Sequence, residues 1–134
     1  MNVTTWTPPL SAVWFLSVGA IFGFLAVALG AFAAHALRKR LSAEQITVFQ
    51  TGVQYQMYHA LGLLVVGSLR LTGMSFSGYI DFAGWAFIIG VILFSGSLYA
   101  LTLSAIRRLG AITPLGGVAF LLGWASLVIG VIFR

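Results

Sequence analysis

"FAGWAFIIGVILFSGSLYALTLSA", residues 82–105, runs for 24 positions without a charged side chain. A soluble domain of this size carries about 25% charged residues, spread along its length. A helix needs about 20 apolar residues to cross the ~30 Å hydrocarbon core of a bilayer. This stretch is long enough, and so are three further apolar runs, near 12–34, 52–69 and 114–133. None shows the alternating ten-residue pattern of a membrane β-barrel strand. The fold expected is an all-α integral membrane protein, an antiparallel four-helix transmembrane bundle. It would form a single domain over 1–134, with helices near 10–37, 43–71, 82–109 and 114–133.

The composition agrees with this class. The chain is 60% hydrophobic and 7% charged, and its mean hydropathy is +1.07. It has no cysteine, which excludes disulfides, thiolate catalysis and Cys-based zinc sites. A net charge of +5 would suit a nucleic-acid binder, but its placement favours a membrane. Five of the seven basic residues sit in two short loops, as Arg38, Lys39 and Arg40 and as Arg107 and Arg108. Basic loops set the orientation of membrane proteins. The expected partner is the lipid bilayer, and no nucleic acid. Both basic loops are assigned to the cytoplasm, which puts both termini on the non-cytoplasmic side. The first apolar run is read as a retained helix rather than a cleaved signal, because the basic cluster follows "AHA" (34–36) instead of preceding the run.

Helix boundaries follow from local signals. Pro8 and Pro9 suit the start of the first helix. Ser42 and Gln45 have capping-box spacing ahead of Ile46, Phe49 and Val53. "TGMSFSGY" (72–79) is a turn-rich connection. Asp81 is the expected N-cap of the third helix and Gly110 its expected stop. Thr113 and Pro114 read as N-cap and first residue of the fourth. Gly19–Arg40 and Gly84–Arg108 echo one another, each a glycine-rich apolar helix running into a basic cluster.

The polar side chains concentrate in "TGVQYQMYHALGLL" (51–64). On a helix, Gln54, Tyr55, Gln56, Tyr58 and His59 spread over roughly 200° of surface. Val53, Met57, Ala60 and Leu64 fill the remaining arc, which is expected to face lipid. Unsatisfied amides in hydrocarbon cost several kcal/mol each, so the polar arc is expected to face other helices. His59, near mid-membrane, can serve either as an interhelical hydrogen-bonding group or as a functional ionisable group. His35 lies beside the basic cluster and reads as an interfacial histidine or as a relay partner of His59. The third helix carries Ser95, Ser97, Tyr99, Thr102 and Ser104. Ser95, Tyr99 and Thr102 share one face, expected to dock on the polar face of the second helix. Small residues mark close packing: Gly116, Gly123 and Gly130 at seven-residue intervals, with Gly19, Gly23, Ala26, Gly30 and Ala34 on the first helix.

With these motifs placed, the chain resembles the YgdD-like family of small bacterial inner-membrane proteins, which has small transmembrane relatives in animals. The resemblance rests on "GAFAAHAL" (30–37), "TGVQYQMYHALGLL" (51–64), "GWAFIIGVILFSGSLYAL" (84–101) and "LGAITPLGGVAFLLGW" (109–124). It implies a four-helix protein of the bacterial inner (plasma) membrane and no activity. His35, Gln54, Tyr55, Tyr58, His59, Ser95, Gly96, Ser97, Tyr99, Thr113, Pro114 and Gly116 match the family pattern. Ala33 stands where glycine is common.

No nucleophile–base pair, carboxylate pair or metal-ligand set is evident, so the chain is not expected to be an enzyme or to hold a metal or cofactor. The function expected is a non-enzymatic membrane protein with a buried Gln/Tyr/His seam between helices two and three, in a homo-oligomer. The alternative is a small transporter or channel using Gln54, Tyr58 and His59 as a midplane proton or solute site.

Overall fold

The computed structural model describes residues 5–73 and 78–134. The middle of the expected 72–79 connection, residues 74–77, lies outside the described residues. Among these, the chain forms four α-helices and no strand: α1 Leu10–His35, α2 Ala43–Leu71, α3 Tyr79–Ser104 and α4 Thr113–Ile132. Short 3₁₀ turns at Leu37–Lys39 and Arg107–Ala111 follow α1 and precede α4.

Local chemistry explains the boundaries, several of which differ from expectation. Pro9 holds an extended backbone immediately before α1. α1 ends at His35 rather than Leu37, because the chain tightens there and Leu37 turns into a buried cluster with Ala33, Ile46 and Phe49. The capping box at α2 is complete. Ser42 Oγ accepts from the Gln45 N–H at 3.1 Å, and Gln45 Oε1 accepts from the Ser42 N–H at 2.9 Å.

α3 starts at Tyr79, with Gly78 in the cap position, so Asp81 sits in the first turn and is not the cap. Its carboxylate instead stands 3.2 Å from Arg70 Nε. α3 ends at Ser104, short of Leu109, because Ala105 takes a left-handed conformation with φ 58°. Ser104 Oγ then accepts from the Ile106 N–H. Gly110 is therefore not the stop and lies within the second 3₁₀ turn. Thr113 is the first residue of α4 and not its cap; its hydroxyl is engaged by Ser97 Oγ at 2.6 Å.

α2 and α3 occupy the middle, with α1 against α2 and α4 against α3. The contacts fix the sense of each pairing. Gly19 lies against Ala60 and Leu63, whereas Gly30 lies against Val53. Gly52 meets Tyr99 and Gly62 meets Phe87. Gly116 meets Phe94, Gly123 meets Phe87 and Gly130 meets Ile80. Gly116 shows why the stripe is glycine: a Cβ there would run into the Phe94 backbone. The main core joins Phe15, Leu63, Val66, Ile80, Phe87 and Phe120 across all four helices.

Three segments are long and apolar enough to cross a membrane: Leu10–Lys39, Tyr79–Ser104 and Arg107–Ile132. The expected fourth, in α2, is not among them. The Gln54–His59 cluster lies across its middle and, with Glu44, Gln45 and Gln50 before it, lowers the hydropathy of the whole.

Candidate functional site

The polar groups of α2 divide into a buried set and an exposed set. Gln56 and His59 are buried, each 4% exposed. Gln56 spans three helices. Its Nε2 donates to the Phe22 carbonyl of α1 at 2.8 Å, and its Oε1 accepts from the Tyr99 hydroxyl of α3 at 2.7 Å. One turn away, Ser95 Oγ of α3 donates to the Gly52 carbonyl at 2.6 Å. Gly52 permits this approach, since a Cβ there would stand 2.8 Å from the Tyr99 ring.

His59 faces α4. Its Nδ1–H donates to the Tyr55 carbonyl at 2.7 Å, while its Nε2 accepts from Trp124 Nε1–H at 3.1 Å. The neutral imidazole with its proton on Nδ1 is the tautomer that serves both bonds. Phe120 stacks on the same ring, centroids 3.5 Å apart and planes within 5°. Phe87 meets it edge-on at 5.3 Å.

The remaining expected site residues fall elsewhere. Gln54, Tyr55 and Tyr58 are exposed, so the polar arc does not face the interior as a unit. The arc expected to face lipid is instead packed: Ala60 is buried, and Val53, Met57 and Leu64 are half-buried. The physical reason is the small-residue face of α1. Gly19 and Gly30 fit against Ala60 and Val53, which turns that arc inward and swings Gln54 and Tyr58 outward. Gly23 packs more loosely, its Cβ position 4.0 Å from Ala60. Tyr55 still lays its ring against Phe94 at 4.6 Å.

Ser97 is buried and bonds Thr113, tying the end of α3 to the start of α4. Thr102 returns its hydroxyl to the Leu98 carbonyl of its own helix. His35 is exposed at the end of α1. It lies sixteen residues beyond the level of Gly19, which faces Ala60, hence roughly 24 Å along the axis from His59. A direct relay between the two histidines is out of reach. Among the described residues no group of three His, Asp or Glu converges to hold a metal.

The sequence reading missed Trp124, Phe120 and the Phe22 carbonyl. The available signal was an indole N–H in the middle of an otherwise apolar helix, since a buried Trp usually finds an acceptor.

Three helical segments long and apolar enough to cross a bilayer define the class as a helical membrane protein. Residues 29–117 match the family described as "Protein of unknown function (DUF423)". The chain is 50% identical over 120 residues to the UPF0382 membrane protein YwdK of Bacillus subtilis, covering 88% of this chain and 95% of that one. It is 44% identical to a UPF0382 membrane protein of Haemophilus influenzae, covering 87% and 91%. The UPF0382 inner membrane protein YgdD of Escherichia coli is 40% identical over 126 residues, 92% of each chain. The chain belongs to this DUF423 family of membrane proteins. No solved structure matches it.

Proposed function

We propose that the chain is a non-enzymatic protein of the bacterial plasma membrane, an antiparallel four-helix transmembrane bundle that acts as an oligomeric scaffold. In this reading α2 is the fourth span. Its packing along α1 and α3, both apolar enough to cross, supports that placement. The five basic residues of the two loops favour a cytoplasmic side for Arg38–Arg40 and Arg107–Arg108, with both termini opposite.

The observation that carries the reading is the internal use of the seam. Both ends of Gln56 and both ring nitrogens of His59 are engaged by protein groups. Such bonds between helices fix register and contribute about 1 kcal/mol each. Of the three residues of the alternative midplane site, His59 has both ring nitrogens engaged, and Gln54 and Tyr58 lie apart from it on the exposed side of α2.

The test compares His59→Asn and His59→Leu in proteoliposomes. As a structural seam, Asn keeps much of the stability, Leu loses it, and neither protein nor parent supports a pH-driven flux. A flux in the parent that both substitutions abolish, with stability intact, would favour the alternative, a proton or solute carrier.

A further inference from the structure

One face of α2 has no neighbour among the described residues. Gln54, Tyr58, Leu61, Val65 and Ser68 are exposed along it, at i, i+4, i+7, i+11 and i+14, the spacing of a helix-pairing stripe. Depth makes this face unusual. α2 has 29 residues, about 44 Å, and Gln54 and Tyr58 lie within about 5 Å of its midpoint along the axis. Neither the Gln54 carboxamide nor the Tyr58 hydroxyl has a hydrogen-bond partner among the described residues. The outer face of α3 offers a contrast. There Phe82, Trp85, Ile89 and Ile92 are exposed and suit lipid tails. Gly52 meets Tyr99 and Gly62 meets Phe87, which sets Ile92 near the level of Tyr58 and Gln54 about one turn further along. An amide facing lipid there is heavily penalised and needs a polar partner.

We propose that this face of α2 is the interface with a second copy of the chain, the two α2 helices lying side by side about a two-fold axis along the membrane normal. The proposal rests on α2 being a span. A carboxamide both donates and accepts, so Gln54 is complementary to itself across such an axis. Two copies inserted in the same sense bring the two Gln54 side chains to equal depth. Tyr58 lies one turn along the same stripe, where its hydroxyl can join the pair. Ser68 is small enough for the backbones to approach at one end. A single polar position in an apolar stripe fixes register and copy number. Beside the stripe, a groove of about 560 Å³ between α1 and α2, lined in part by Gly23, Met57 and Leu61, has room for apolar side chains of the second copy.

The chain has no cysteine, so single cysteines report cleanly. Leu61→Cys, Val65→Cys and Ile92→Cys are oxidised in native membranes. Covalent dimers are expected at 61 and 65 and not at 92. Adding Gln54→Leu to Leu61→Cys should weaken association roughly tenfold, whereas Gln54→Asn retains most of it. Equal yields at 61 and 92, or no loss with Gln54→Leu, would overturn the interface. Light scattering of the unsubstituted protein in mild detergent gives an answer independent of any variant, and a monomer at all concentrations also overturns it. Cysteines at 42 and 73, labelled from either side, separate the two ideas. Labels on opposite sides without cross-links sink the dimer alone. Labels on the same side remove the α2 span and the scaffold reading with it.

Discussion

Trp124 donates its indole N–H to Nε2 of His59 across 3.1 Å, joining α4 to α2 over 65 positions of sequence. The bond tests simply, because phenylalanine keeps most of the ring volume and removes the donor. Trp124→Phe should lower stability by about 0.6–1.5 kcal/mol, read from thermal unfolding in detergent. A loss well above that range would mean that packing on Phe87, not the hydrogen bond, is what Trp124 supplies.

Gln56 carries the larger share of the seam. Gln56→Leu leaves the Tyr99 hydroxyl and the Phe22 carbonyl without their partner and should cost roughly 1–3 kcal/mol. Tyr99→Phe in the same background should then cost little more, because its partner is already gone. Strict additivity in this double-mutant cycle would argue against the bond.

Adjacent glycines on α4 should behave in opposite ways. Gly116→Ala drives a methyl into the Phe94 backbone and should cost about 1–3 kcal/mol. Nothing lies within 4 Å of the Cβ position at Gly117, so Gly117→Ala should be neutral or gain up to ~1 kcal/mol from helix propensity. Melting temperatures of the two variants decide the matter, and equal shifts would contradict the α3–α4 register.

Ala105 sits at φ 58°, a conformation that disfavours side chains by roughly 1–2 kcal/mol. Glycine removes that penalty but adds freedom to the unfolded chain. The net expectation for Ala105→Gly is a gain of about 0.5–1 kcal/mol. Destabilisation on chemical unfolding would place the end of α3 elsewhere.

Sidedness is tested in intact cells with an impermeant thiol reagent. Thr7→Cys and Gly73→Cys should label from outside, and Ser42→Cys only after permeabilisation. The reverse pattern would invert the proposed orientation.

Which parts of this arrangement the sequence disclosed depends on how local each signal is. α2 was legible from end to end because its start carries a self-contained device, the Ser42/Gln45 box. The polar cluster was legible as a cluster, but not the direction it faces. Five polar residues over some 200° leave room for two orientations, and the choice depends on α1, whose Gly19 and Gly30 claim the Ala60/Val53 arc. The end of α3 was illegible for a different reason. Alanine gives no hint of a left-handed turn, whereas Gly110 advertised a stop that the chain does not use. Trp124 could not be assigned to His59 at all, because nothing local couples residues that far apart.

The order of packing has a consequence for biogenesis. Each helix has its principal partner next to it in the sequence, so almost every interhelical surface can form as soon as the following segment leaves the ribosome. Such local topologies fold quickly and expose little apolar surface on the way. The contacts of α2 with α4 are an exception, since His59 must wait with its imidazole acceptor open until the last helix brings Trp124 and Phe120. Maturation of the chain therefore ends with a single late event, the closing of α4 over His59, and a truncated chain lacking α4 would present that open acceptor to whatever quality-control system surveys the membrane.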